Sequence, residues 1–140
     1  VRVEMKVTQK RYWLREVEFD LDPRYANFDG DGEIDVDDRT VTWTVPKRSG
    51  TLSWDVQIAH RRGDSFDAYM DVGWAVFRAE DVIPRKSSVT ALDVRSKTTM
   101  RFDLPAGWSA AAPYPDRRGV YRVQKSERRL DLPSGWIASP

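Results

Sequence analysis

The stretch "NFDGDGEIDVDD", Asn27 to Asp38, holds the residues whose types and spacing could do chemistry. Laid on a twelve-position calcium loop, Asn27, Asp29 and Asp31 fall at positions one, three and five, with Gly32 at six. Glu33 offers its carbonyl at seven, Asp35 falls at nine and Asp38 at twelve. Calcium takes about six to eight oxygen ligands, and the glycine lets the chain wrap around the ion. Asn27, Asp29, Asp31, Glu33, Asp35 and Asp38 are therefore the candidate metal ligands, and calcium is the candidate cofactor. Two features depart from the pattern: Asp38 stands where a bidentate Glu is usual, and the flanking sequence is patterned for strands, not helices. The alternative reading is an acidic, glycine-rich hairpin whose Asp and Gly simply suit turns.

Nothing else in the chain has the spacing of a catalytic centre. His60 is the only histidine, whereas zinc catalysis needs several convergent ligands and a triad needs a nucleophile beside its base. At the end of an alternating segment, His60 is expected to bond to a carbonyl or to water. There is no His-Glu-x-x-His, no Gly-x-Ser-x-Gly and no phosphate-cradling glycine loop. No catalytic or cofactor-binding residue is assigned, and the chain alone is not expected to be an enzyme.

Tryptophan offers a different chemistry. The chain has six, and exposed aromatic platforms could bind sugars or peptides. Trp43 and Trp54 fall on the apolar side of alternating segments and are expected in the core. The pattern leaves Trp13, Trp74, Trp108 and Trp136 open.

Composition bounds these readings. With 23 basic and 22 acidic residues the net charge is +1, which argues against a nucleic-acid binder. "HRRG" and "PDRRG" are broken by acidic neighbours and read as solvated loop ends. Cysteine is absent, so disulfides and thiolate metal sites are excluded. No apolar stretch is long enough to span a bilayer. The chain begins with Val and shows no signal peptide; the expectation is an excised segment of a longer protein, its leader already removed.

The elements that must position all this repeat every two residues. Val41, Trp43 and Val45 alternate with Thr40, Thr42 and Thr44; Leu52, Trp54, Val56 and Ile58 alternate with Ser53, Asp55, Gln57 and Ala59. A turn centred on Arg48-Ser49 in "PKRSG" would make these a hairpin, with Trp43 facing Trp54, Val45 facing Leu52 and Val41 facing Val56. "VRVEMKV", "RYWLREVEFDL", "FDAYMDVGW", "ALDVRS", "TTMRFDL" and "GVYRVQK" read as further strands, and "FRAEDVI" as a helical turn stopped by Pro84. At 140 residues this predicts an all-β antiparallel sandwich forming a single domain, 1–140.

One phrase occurs twice. Asp-Leu-Pro-x-Gly-Trp spans Asp103 to Trp108 and again Asp131 to Trp136. Each Leu-Pro is expected to end a strand, each glycine (Gly107, Gly135) to take positive φ in a tight turn, and each tryptophan to plug the sandwich.

With "WAVFRAEDVIPR", "RFDLPAGWSAAAPYP" and "ERRLDLPSGWIASP" in this order, the sequence from about Thr40 onward resembles the N-terminal β-domain of the glycyl aminopeptidase family, gluzincin-type zinc metallopeptidases. Trp74 to Arg78, the following acidic pair, the Leu-Pro-x-Gly-Trp strand end and Ala112 to Pro115 carry the resemblance. The acidic loop at 27–38 is outside it. Zinc in that family sits on a separate catalytic domain whose motifs are absent here, so no ligand is carried over. The resemblance implies a supporting domain whose partner is a catalytic domain of the same parent chain, helping to shape its substrate cleft. It also implies a bacterial, exported protein of the periplasm, cell envelope or medium. On this reading Trp108 plugs the sandwich itself, whereas Trp136 sits at the junction with the catalytic domain and is more exposed in this chain than in the intact protein.

Overall fold

A computed structural model describes residues 1–84, 95–123 and 132–139. Parts of three expected features lie outside these residues: Ala91–Val94 of one strand, Gln124–Lys125 of another, and Asp131 at the start of the second repeated phrase. The described chain is all-β and antiparallel apart from one helical turn, as its period of two predicts. Its contacts divide into two compact units, one built from Val1–Gln57 with Pro84, the other from Ile58–Ile83 and the described residues from Arg95 onward.

The first unit is a sandwich of two three-stranded sheets. One has the order β1 (Arg2–Thr8), β6 (Ser49–Val56), β3 (Tyr25–Gly30); the other has β2 (Glu16–Asp20), β5 (Thr40–Thr44), β4 (Glu33–Val36). Val17, Phe19, Val41 and Trp43 from one sheet and Val3, Tyr25, Leu52, Trp54 and Val56 from the other are buried. The ring of Phe19 lies 5.6 Å from that of Trp54 and 6.4 Å from that of Tyr25, so the two apolar faces meet in a shared core.

The hairpin expected between the Trp43 and Trp54 strands is not formed. β5 pairs with β2 and β4, placing Trp43 opposite Val17 and Ile34, whereas β6 pairs with β1 and β3, placing Trp54 opposite Val3. The segment between them crosses from one sheet to the other. Alternation specifies which face of a strand is apolar, and that requirement is met equally by neighbours in one sheet or by faces stacked across a core. Crossing gives both strands a hydrogen-bonded partner on each side, the arrangement two fully buried tryptophans need. Pro46 packs on the crossing so closely that a Cβ at Gly50 would stand 2.5 Å from its Cδ.

The second unit contains a four-stranded sheet, β13 (Trp136–Ser139), β9 (Ala75–Arg78), β8 (Ser65–Met70), β7 (His60–Arg62), and a three-stranded one, β10 (Thr98–Met100), β12 (Val120–Val123), β11 (Asp116–Arg117). The helical turn expected before Pro84 is α1, Ala79–Val82. "FDAYMDVGW", read as one strand, is instead β8 followed by a turn. The Asp71 carboxylate accepts from the N–H groups of Gly73 (2.7 Å) and Trp74 (3.0 Å) and turns the chain into β9.

The repeated phrase makes a turn both times; the first copy does not end a strand, and what precedes Leu132 in the second lies outside the described residues. β10 stops at Met100, ahead of Leu104-Pro105, and the second phrase leads into β13. Gly107 and Gly135 do adopt positive φ, 84° and 92°. In the first copy Trp108 N–H donates to the Pro105 carbonyl at 3.1 Å, closing a four-residue turn. In the second, Gly135 N–H donates to Glu80 Oε2 (2.7 Å), and the Gly135 carbonyl accepts from Ala79 N–H (2.8 Å). The Tyr114 hydroxyl bonds both backbone groups of Ser134, accepting from N–H at 2.6 Å and donating to the carbonyl at 2.9 Å. Three phrases far apart in sequence, those containing Glu80, Pro113-Tyr114 and Gly135-Trp136, therefore converge at the start of β13.

Candidate functional site

The six candidate calcium ligands lie along a segment that runs from one sheet of the first unit to the other. Asn27 and Asp29 are on β3, Glu33 and Asp35 on β4, Asp31 in the link between them and Asp38 beyond β4. The register shifts between Ala26 and Asp29, and Asn27 takes φ 54°, turning its side-chain amide to Asp55 Oδ2 at 2.8 Å. Asp31 is fixed by both ends of its backbone and by its side chain. Its N–H donates to Thr51 carbonyl, its carbonyl accepts the Trp43 indole N–H at 2.7 Å, and its carboxylate accepts Thr51 N–H at 3.0 Å. A Cβ at Gly32 would stand 2.4 Å from the Thr44 carbonyl oxygen and one at Gly30 2.1 Å from that of Thr51. The glycines thus allow backbone to lie on backbone where the chain changes sheets. Among the described residues, no group of three or more His, Cys, Asp or Glu side chains stands where it could hold a metal ion.

Carboxylates in this unit do structural work. Asp37 caps the turn before β5, and the Arg39 and Thr40 N–H groups hold its pKa below the ordinary carboxylate value. Asp55 is lowered by the Asn27 amide and then by Arg2, whose guanidinium stands 2.9 Å away.

His60 opens β7 instead of continuing β6, which ends at Val56. Its Nδ1 lies 2.5 Å from Asp67 Oδ1 on the neighbouring strand, a carboxylate where a carbonyl or water was expected. That bond lowers the Asp67 pKa, with the attraction of His60 and Arg62 adding to it. No hydroxyl is bonded to His60 among the described residues, so the pair lacks the nucleophile of a triad.

Asp67 lies on the wall of a groove. On the outer face of the four-stranded sheet, Phe66, Asp67, Ala68, Tyr69, Trp74, Val76 and Trp136 line a space of about 540 Å³. The register explains the gathering. Val76 on β9 sits opposite Tyr69 on β8 and opposite Ala138 on β13, while Trp136 sits opposite Arg78. Buried Ala75, Phe77 and Ile137 take the opposite face of the same strands. Tyr69 stacks on Trp74 with centroids 4.6 Å apart, and Phe66 meets Tyr69 edge-on at 5.2 Å. Arg61 covers Phe66 at 4.8 Å and Arg78 covers Trp136 at 4.9 Å.

The open question about the tryptophans is thereby resolved. Trp43 and Trp54 are core, as expected; Trp108 is half-buried; Trp13, Trp74 and Trp136 are exposed at 40%, 46% and 50%. Trp136 is not a plug, because as the first residue of β13 it points outward from the sheet. Sequence reasoning missed Phe66, Asp67, Tyr69 and Val76. The signal available was the two alternating runs on either side of Asp71-Val-Gly, which a single-strand reading of "FDAYMDVGW" conceals.

These features define an all-β scaffold with an aromatic groove on one sheet. No family model and no curated protein matches the chain. A solved structure does: one described as an aminopeptidase N family protein from Idiomarina loihiensis is similar at a TM-score of 0.64 and 12% identity, covering 99% of this chain. The likeness shows the fold. The chain spans about a quarter of that structure, 26% of its length.

Proposed function

We propose that this chain is a non-catalytic β-domain that supports the catalytic domain of a larger, glycyl aminopeptidase-like zinc metallopeptidase. The observation that carries this reading is the asymmetry of the structural match, 99% of this chain against 26% of an aminopeptidase N family protein. The resemblance of the phrases around Trp74, Pro113 and Trp136 points the same way, and those phrases meet at one place in the second unit. No residue of this chain is assigned to zinc, because the His-Glu-x-x-His of the family's catalytic domain does not occur in this sequence. The parent would be a bacterial, exported protein, and the role of this domain would be to shape the substrate cleft from outside the reacting centre.

The test is the intact mass and peptide map of the native polypeptide from its source. A much longer chain carrying His-Glu-x-x-His, with chelator-sensitive release of N-terminal glycine, is the expected result. A native polypeptide ending near Pro140 would overturn the reading.

A further inference from the structure

The groove on the outer face of the four-stranded sheet is not needed by the core of its unit, which lies on the other face. Its rings are held against one another through the Tyr69–Trp74 stack and the Phe66–Tyr69 edge contact, so little side-chain freedom remains to be lost when a partner covers them. Phe66, Trp74 and Trp136 are each between 46% and 50% exposed, so the lining is open to solvent. Continuous exposed apolar surface of this kind marks a contact site.

The polar groups decide what would cover it. A sugar needs several hydrogen-bonding partners, yet Asp67 is the one charged residue of the lining, already engaged by His60. The Tyr69 hydroxyl donates to Asp71 at 3.3 Å. Asp67 and Asp71 are thus engaged by His60 and by the Gly73 and Trp74 N–H groups, and the uncommitted charges beside the rings are two arginines. Arg61 on β7 and Arg78 on β9 hold their guanidinium carbons 4.8 and 4.9 Å from the Phe66 and Trp136 ring centroids, and neither makes an ion pair among the described residues. A guanidinium stacked on a ring keeps its N–H edge available, and that fork matches a planar carboxylate. Apolar floor and arginine flanks together specify an apolar side chain with acidic neighbours.

We propose that this groove binds a protein segment in which an aromatic or large aliphatic side chain is flanked by Asp or Glu. The apolar side chain sits among Tyr69, Trp74, Val76 and Trp136, and the carboxylates pair with Arg61 and Arg78. This goes beyond the reading of a supporting domain and does not rest on it; the occupant is a segment of a different protein, not a second copy of this chain.

The chain itself can be titrated with the blocked peptide acetyl-Glu-Glu-Leu-Phe-Glu-Glu-amide, following tryptophan emission and heat. The same peptide with lysine at every glutamate serves as the comparison. The acidic peptide is expected to bind roughly tenfold more tightly than the basic one and to weaken at about 0.5 M salt. Trp136→Ala removes binding, and Arg78→Gln, which leaves the rings in place, lowers affinity several-fold for the acidic peptide only. Equal affinity for both peptides, or no binding of the acidic one at millimolar concentration, overturns the proposal. So does tighter binding of a soluble oligosaccharide in the same groove, or sedimentation as a dimer that Trp136→Ala dissociates, because the occupant would then be a sugar or a second copy.

Discussion

Trp43 and Trp54 in the first unit, and Trp74 and Trp136 in the second, sit on or beside alternating strands, yet the first pair is 0% exposed and the second 46% and 50%. The local pattern is the same kind; the difference lies in what stands opposite. Trp43 and Trp54 occupy the central strands of two sheets stacked face to face, so each is covered by the other sheet's side chains. Trp136 is on the terminal strand of its sheet and faces away from Phe77 and Ile137, which fill the core side. Alternation selects a face. Only the second layer determines whether that face is interior.

The largest effects should separate the two pairs by stability. Trp54→Ala removes a ring packed among Phe19, Tyr25 and Phe28 and should cost about 3–5 kcal/mol. Trp136→Ala should stay within about 0.5 kcal/mol of wild type, since its loss leaves no buried cavity. Urea midpoints of the two variants check this. Comparable losses would mean that Trp136 holds its unit together and that the groove is an incidental surface.

The repeated phrase allows a finer version of the same contrast. Gly107 and Gly135 share positive φ, but a Cβ at Gly107 meets nothing within 4 Å, while one at Gly135 would stand 2.9 Å from Pro113 Cγ. Gly107→Ala should therefore cost about 1 kcal/mol, from backbone conformation alone, and Gly135→Ala about 2 kcal/mol with the added contact. Equal costs in urea unfolding would show that Pro113 yields freely and that the convergence at β13 is loose.

Much of this was legible in the residues. The all-β class, the apolar faces of β1, β5 and β6, the helical turn before Pro84 and the positive φ of both phrase glycines follow from local patterns and local sterics. The pairing of β5 with β2 and β4 was not, because the alternation of Val41, Trp43 and Val45 is satisfied by either partner. Nor was the groove. It depends on the register that places Val76 between Tyr69 and Ala138, a relation among three strands that no one segment contains. His60 illustrates the same limit: its partner Asp67 is seven residues away, reached only because β7 and β8 pair with a bulge.

Acid should distinguish the groove's rim from the buried cores. Hydrogen bonding to His60 lowers the Asp67 pKa, so the bond contributes stability above the ordinary Asp range, and that contribution is lost as pH falls through the lowered folded value. Asp67→Asn should flatten the acid limb of a urea-midpoint profile while leaving the Trp43 and Trp54 environment unchanged near neutral pH. An acid limb identical to wild type would mean that the bond is too solvated to matter, as exposed pairs often are. Asp37, Asp55 and Asp71 are lowered as well and keep part of the slope in the variant.

The smallest expected effect is at the acidic segment, where a buried tryptophan supplies the reporter. Trp43 donates its indole N–H to the Asp31 carbonyl, and Asp31 is also tied to Thr51 through backbone and side chain. Asn27 and Asp29 lie on β3, Glu33 and Asp35 on β4, and no three carboxylates are grouped for a metal among the described residues, so gathering all six candidate ligands around one calcium would require this segment to rearrange about Asp31. Millimolar calcium should accordingly leave the melting temperature and the Trp43 emission where they are, and Asp31→Asn should respond identically. A melt that rises with calcium through linkage would mean that the segment rearranges around the ion. A simultaneous change in Trp43 emission would then place the binding energy in competition with the core of the first unit.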